Sequence, residues 1–137
     1  MMQNDFGLIS IIMAAYNAEK TIEQAINSVL RQTYMNFEIL VVNDCSKDRT
    51  AELVKRIAAT DRRVRLISNE KNSGVSFTRK HGLEEAKGAW IAVLDSDDAW
   101  EPEKLEKQIE LQRRTNADLL FTGSAFMDSE GHPIDWY

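Results

Sequence analysis

Residues 8–15 read Leu8-Ile9-Ser10-Ile11-Ile12-Met13-Ala14-Ala15, a nearly continuous apolar run of strand length. A run without polar alternation belongs to a strand covered on both faces, as strands inside a parallel sheet are. It stops at Tyr16-Asn17, and Asn17 stands where a helix N-cap belongs. Ile22, Ala25, Ile26, Val29 and Leu30 then follow at helical spacing and give one apolar face.

The same alternation continues outward from this unit. Phe37-Glu38-Ile39-Leu40-Val41-Val42 reads as a second buried strand, Thr50 to Ala59 as a helix, and Val64-Arg65-Leu66-Ile67 as a short third strand. Gly74 opens a helical stretch to Ala86, weakened in its middle by Gly82. Trp90-Ile91-Ala92-Val93-Leu94 is a fourth strand, and Pro102 suits the first turn of a helix whose inner face is Leu105, Ile109 and Leu111. Leu119-Leu120-Phe121 begins an expected fifth strand reaching Phe126. Strands alternating with helices imply right-handed βαβ units. The expected architecture is α/β: a doubly wound, largely parallel sheet flanked by helices, forming one domain over residues 1–137. The tail from Met127, with Gly131 and Pro133, ends on Ile134-Asp135-Trp136-Tyr137, which reads as an edge hairpin or as an interrupted larger domain; the second reading is preferred.

Composition narrows the function classes. The 137 residues are 43% hydrophobic and 28% charged, with a net charge of −5, which fits an ordinary folded domain and argues against non-specific nucleic-acid binding. One cysteine excludes an intramolecular disulfide framework and cysteine-based zinc motifs. The charge-free stretch from Phe6 to Ala18 is shorter than the roughly 20 residues that span a bilayer, and no basic residue precedes it as in a secretory signal. A cytoplasmic location is the resulting expectation.

Ligands of open parallel sheets bind beyond the carboxyl ends of the strands. Three such ends carry polar residues here: Tyr16 and Asn17, Asp44 and Ser46, and Asp95-Ser96-Asp97-Asp98. Asp44 alone fits a turn or capping residue as well as a binding residue, and Ser46 and Asp48 read as N-caps. Three carboxylates within four residues repel one another unless a cation offsets them, and oxygen-rich sites of this kind hold Mg²⁺ or Mn²⁺ together with substrate phosphates. No glycine-rich phosphate loop follows the first strand, so phosphate would be neutralised by metal and basic side chains, with Arg79 the foremost candidate. Trp90 and Trp100 read as packing residues, and Lys55, Arg56, Arg62, Arg63 and Arg65 as a solvated basic surface.

Four blocks together resemble the family 2 glycosyltransferases of the GT-A fold. They are Ser10-Ile11-Ile12-Met13-Ala14-Ala15-Tyr16-Asn17 with Ser28-Val29-Leu30-Arg31-Gln32-Thr33, then Val42-Asn43-Asp44-Cys45-Ser46-Lys47-Asp48-Arg49-Thr50, then Asn72-Ser73-Gly74-Val75-Ser76-Phe77-Thr78-Arg79, and finally Leu94-Asp95-Ser96-Asp97-Asp98, which looks like that family's DXD metal motif. The resemblance runs over about residues 8 to 126. It implies transfer of a sugar from a nucleotide-diphospho-sugar, such as a UDP-sugar, to a carbohydrate or lipid-linked acceptor hydroxyl with inversion. It also implies that Ala15, Tyr16 and Asn17 border the nucleotide, that Tyr16 lies against the base, and that Asp44 accepts the N3–H of uracil. By the same resemblance Arg79 approaches base or phosphates, Asp97 bonds the ribose, and Asp98 coordinates a divalent cation with Asp95 supporting the loop; whether Asp97 also touches the metal stays open.

The chain departs from the family in three ways. Ala14 replaces a more usual proline or threonine, Lys80 replaces asparagine, and no carboxylate up to Tyr137 stands in the general-base motif, which is expected further on. The expected role is therefore the donor and metal half of a transferase, weakly active or inactive alone, with an incomplete edge through which copies of the chain self-associate. The alternatives are a non-catalytic nucleotide-sugar-binding domain or a nucleotidyltransferase, whose glycine-rich basic loop is missing. A phosphoryl-accepting receiver domain fails on position, because the first strand ends in Ala-Ala-Tyr-Asn and the third in Ser68-Asn69-Glu70.

Overall fold

The computed structural model describes residues 6–135. The strands are β1 (Ile9–Ala15), β2 (Phe37–Asn43), β3 (Val64–Ser68) and β4 (Trp90–Val93), and they alternate with helices α1 (Ile22–Leu30), α2 (Thr50–Ala58), α3 (Val75–Glu85) and α4 (Lys104–Thr115). The sheet order is β3-β2-β1-β4 and every pairing in it is parallel. Ile9 pairs with Phe37 on one side and with Trp90 on the other, so all strands point their carboxyl ends toward one edge of the domain.

The apolar run at residues 8–15 is buried because both of its faces are covered. Ile9, Ile11, Met13 and Ala15 join Ile22, Ile26, Leu53, Val54, Leu105 and Ile109 in one core between the sheet and α1, α2 and α4. Alternation sends Ile12 to the other face, where α3 lies. Gly82 permits that approach: a Cβ there would stand 2.7 Å from Ile12 Cγ2 and 3.0 Å from Val42 Cγ2. The glycine that weakens α3 as an isolated helix thus lets it sit closely on the sheet. Glu38, buried within β2, is satisfied by the Ser10 hydroxyl at 2.6 Å and the Lys87 amide at 2.8 Å, which tie the α3–β4 turn to the sheet.

Two expectations from sequence are corrected. No strand forms at residues 119–121; Leu119 and Phe121 are 70% and 84% exposed, and among the described residues β4 pairs only with β1. Strand propensity needs a partner edge to become a strand, and among the described residues this segment pairs with none. A small antiparallel hairpin of β5 (Phe126–Met127) and β6 (Pro133–Ile134) follows, turning at Gly131, where φ is +87°. Trp136 and Tyr137 of the terminal aromatic run lie outside the described residues. Asn17 is not the N-cap of α1, which begins at Ile22 with Thr21 before it; Asn17 instead takes a left-handed conformation, φ +48°.

Among the described residues no helix is long and apolar enough to cross a membrane. The basic residues at 56, 63 and 65 are paired, with Glu23, with Asp61, and with Glu38 and Glu85 respectively. Trp90 stacks on Phe6 with ring centres 4.9 Å apart, and Lys104 lies over the Trp100 ring at 4.1 Å, so both indoles do pack.

Candidate functional site

From β1 the chain winds to β2 and β3, then crosses back to place β4 on the opposite side of β1. That reversal opens a crevice beyond the carboxyl ends of β1 and β4. An open cleft of about 330 Å³ lies there, lined by Ala14, Tyr16, Asn17, Ala18 and Thr21 from the β1 side and by Asp95, Ser96 and Asp97 after β4, with Val75 and Arg79 of α3 alongside. Four candidates from the sequence, Tyr16, Asn17, Arg79 and Asp97, therefore meet in one place. Ala15 is buried beneath it, and Asp44 and Asp98 lie outside its lining.

The β1 side of the cleft is held by bonds from backbone amides to side-chain oxygens, which tie the segment at 17–19 to the one at 46–50. Asn17 N–H donates to Ser46 Oγ at 3.0 Å, and Asn17 Oδ1 accepts from the Lys47 amide at 2.8 Å. Ala18 N–H donates to Thr50 Oγ1 at 2.8 Å, and Glu19 N–H to Asp48 Oδ2 at 3.0 Å. Asp48 also accepts from the amide and hydroxyl of Thr50, the first residue of α2, although Arg49, and neither Ser46 nor Asp48, holds the N-cap position. Burial acts to raise the Asp48 pKa, and these bonds outweigh burial and hold it below the ordinary value. Tyr16 is half-exposed and lines the cleft.

Asp44 is 4% exposed. Its Oδ1 accepts from Asn69 Nδ2 and from the Ser73 amide, each at 2.8 Å, and its Oδ2 from the Gly74 amide at 2.9 Å. Ser73 and Gly74 precede α3, so this carboxylate anchors the start of that helix. Burial raises its pKa, but the bonds from Asn69, Ser73 and Gly74 prevail and hold it ionised below the ordinary range. The sequence reading does not reach Asn69, Ser73 and Gly74 as separate site residues; the one signal for them is the Asn72-Ser73-Gly74 block, whose glycine takes φ +85°.

The acid loop is where charge is least compensated. Carboxylate oxygens of Asp95, Asp97 and Asp98 lie within 4.8 Å of one another. Arg79 Nη2 is 2.6 Å from Asp95 Oδ1 and relieves only that member. Burial, then the charges of Asp97 and Asp95, push the Asp98 carboxyl above its ordinary value. A set of hard oxygen donors carrying uncompensated charge is what a divalent cation of the Mg²⁺ or Mn²⁺ type requires, so the donor chemistry fits. The loop is anchored from below: Ser28 Oγ accepts the Trp100 amide at 3.1 Å, and Gln32 accepts from the Leu105 amide at 3.0 Å while donating to Glu101 O at 2.7 Å. The Ser28–Thr33 block thus positions the loop without entering the cleft.

The sequence matches the family described as glycosyl transferase family 2 over residues 10–136. The chain belongs to glycosyl transferase family 2. Relatives include the teichuronic acid biosynthesis glycosyltransferase TuaG of Bacillus subtilis, described as putative, 39% identical over 98% of this chain and 53% of its own length. Another is the UDP-Glc:alpha-D-GlcNAc-diphosphoundecaprenol beta-1,3-glucosyltransferase WfgD of Escherichia coli, 45% identical over 83% of this chain and 44% of its own. Among solved structures, S. aureus TarS 1-349 in complex with UDP-GlcNAc superposes with a TM-score of 0.75 at 31% identity, covering 80% of this chain and 32% of that one. This family 2 chain spans about half the length of the curated relatives it matches. Its parallel sheet flanked by helices is the GT-A architecture, and its relatives are transferases.

Proposed function

We propose that this chain is the donor-binding part of a longer catalytic domain, and that it holds a nucleoside-diphosphate sugar, specifically a uridine one, in the cleft between Tyr16, Arg79 and the acid loop. The observation that carries the reading is the convergence of an exposed aromatic face, a guanidinium and three mutually repelling carboxylates at the reversal of strand order. Tyr16 would stack on the base. Asp44, whose Oδ2 accepts from the Gly74 amide, would accept the N3–H of uracil. Asp97 would bond the ribose. Asp98, with or without Asp97, would hold Mn²⁺ or Mg²⁺ against the diphosphate, and such a cation supplies Lewis-acid stabilisation of the departing nucleoside diphosphate. Complexes of TarS with UDP-GlcNAc and the UDP-glucose specificity in the name of WfgD support a uridine donor.

Transfer to an acceptor hydroxyl, carbohydrate or lipid-linked, would proceed with inversion and needs a general base. No carboxylate here is assigned that role, so the isolated chain should bind donor and transfer poorly. A cytoplasmic location, with any membrane attachment supplied elsewhere in the full-length protein, belongs to the same reading. So does self-association through the unpaired C-terminal edge, which light scattering over a wide concentration range tests. The deciding experiment is calorimetric titration of UDP with Mn²⁺ and with EDTA, repeated on Asp98→Asn. Metal-dependent binding that weakens in the variant supports the reading, and equal binding in EDTA overturns its metal part.

A further inference from the structure

We infer that His81 is a positioning residue that fixes which way Asn69 faces and thereby aims the carboxylate of Asp44. The inference rests on the reading of Asp44 as the acceptor for the base N–H. It draws on Asn69, just after β3, and on Thr78 and His81 of α3, which the donor site itself does not use.

The hydrogen-bond directions follow from chemistry. An ionised carboxylate only accepts, so the Asn69 group 2.8 Å from Asp44 Oδ1 is its NH₂. The second hydrogen of that amide goes to Thr78 Oγ1 at 2.9 Å, and the Thr78 hydroxyl donates onward to Gly74 O at 2.7 Å. Asn69 Oδ1 therefore faces away from Asp44, and His81 Nδ1 stands 2.7 Å from it. Since Oδ1 only accepts, Nδ1 must carry a hydrogen. Both the neutral Nδ1–H tautomer and the imidazolium satisfy this, so the lock depends on hydrogen-bond donation and not on charge.

Asn69 is 7% exposed and Thr78 fully buried, so water cannot readily replace a lost partner. Without the His81 donor, Asn69 Oδ1 is left unpaired in the interior, and turning the amide over would point that oxygen at the Asp44 carboxylate. Either outcome moves or loosens the group that meets the base edge, while the acid loop and Arg79 remain in place. The consequence is one of specificity: uracil presents N–H at position 3, whereas cytosine presents a lone pair that an anchored carboxylate repels. His81 thus acts on discrimination between the two pyrimidines, not on grip of the diphosphate.

The test is calorimetric affinity for UDP and for CDP in the presence of Mn²⁺, on the wild-type chain, His81→Leu and His81→Asn. Leucine and asparagine have the same branching, and the asparagine NH₂ takes the place of Nδ1. The UDP-over-CDP preference should fall about tenfold in His81→Leu, the size of one lost bond to a charged network, and return in His81→Asn. An unchanged preference in His81→Leu overturns the inference and leaves the donor site standing. A wild-type chain that binds UDP and CDP alike overturns the reading of Asp44 itself. If the variants do not fold, nitrogen NMR of the wild-type imidazole above the histidine titration range decides: the Nδ1–H tautomer is required, and the Nε2–H tautomer overturns it.

Discussion

Arg79 Nη2 stands 2.6 Å from Asp95 Oδ1, joining α3 to the loop that follows β4. The pair forms one wall of the cleft, and both side chains are more than a third exposed. An exposed ion pair contributes little to stability, so its placement says more about the charge that the cleft is built to meet than about folding.

That separation gives a first prediction. Arg79→Met should change unfolding free energy by less than about 1 kcal/mol, as exposed pairs do. UDP affinity should nevertheless fall by about tenfold or more, because a bond to an ionised phosphate is among the stronger kinds. Urea unfolding and calorimetry on the same preparation measure both. A matched loss in stability would mean that the arginine is structural.

Asp44 predicts the opposite balance. Asp44→Asn presents an NH₂ to a ring of donors from Asn69, Ser73 and Gly74, so stability should fall by about 1–3 kcal/mol together with UDP binding. The fold holds the Asp44 pKa below its ordinary value of 3.8. The group's stabilising contribution is therefore fully present above that value and is lost as pH falls through the lower folded one. Unfolding curves from neutral to acid pH should show the wild-type losing stability more steeply than the variant. Parallel curves would remove Asp44 from the acid response.

Most of the architecture was legible because burial writes itself into local pattern. Residues 8–15 and 37–42 are apolar apart from Ser10 and Glu38 since both faces of β1 and β2 are covered, and Ile22, Ala25, Ile26 and Val29 are spaced as they are because one face of α1 meets the core. The acid loop was legible because three adjacent carboxylates are costly without a purpose. What failed was what depends on distant partners. Leu119-Leu120-Phe121 has strand composition but no neighbouring edge, and Asn17 has the composition of a cap but bonds the loop at 46–47. The Asp44–Asn69–His81 chain joins residues 25 and 12 positions apart, a spacing that no helix or strand period reveals.

Gly82 supplies a test of packing without touching the cleft. Gly82→Ala gains about 1 kcal/mol in helix propensity, but the new methyl would meet Ile12 Cγ2 at 2.7 Å and Val42 Cγ2 at 3.0 Å. Both are branched side chains on buried central strands and have nowhere to move. Overpacking of this kind costs about 1–3 kcal/mol, so a net loss is expected in chemical denaturation. A stabilised variant would show that α3 can ride outward from the sheet.

The acid loop separates folding from metal binding most cleanly. Burial, then the charges of Asp97 and Asp95, raise the Asp98 pKa, so a carboxyl in that position destabilises the metal-free fold when ionised. Asp98→Asn should therefore leave the stability of the metal-free chain unchanged or raise it slightly, within about 0.5 kcal/mol. Mn²⁺ should raise the melting temperature of the wild type through binding to the folded state, and this increment should be lost in the variant. Thermal melts with and without Mn²⁺, alongside electron paramagnetic resonance of free Mn²⁺, measure both effects. A variant that keeps the full Mn²⁺ increment would move the metal to Asp95 and Asp97, and with it the diphosphate toward Arg79.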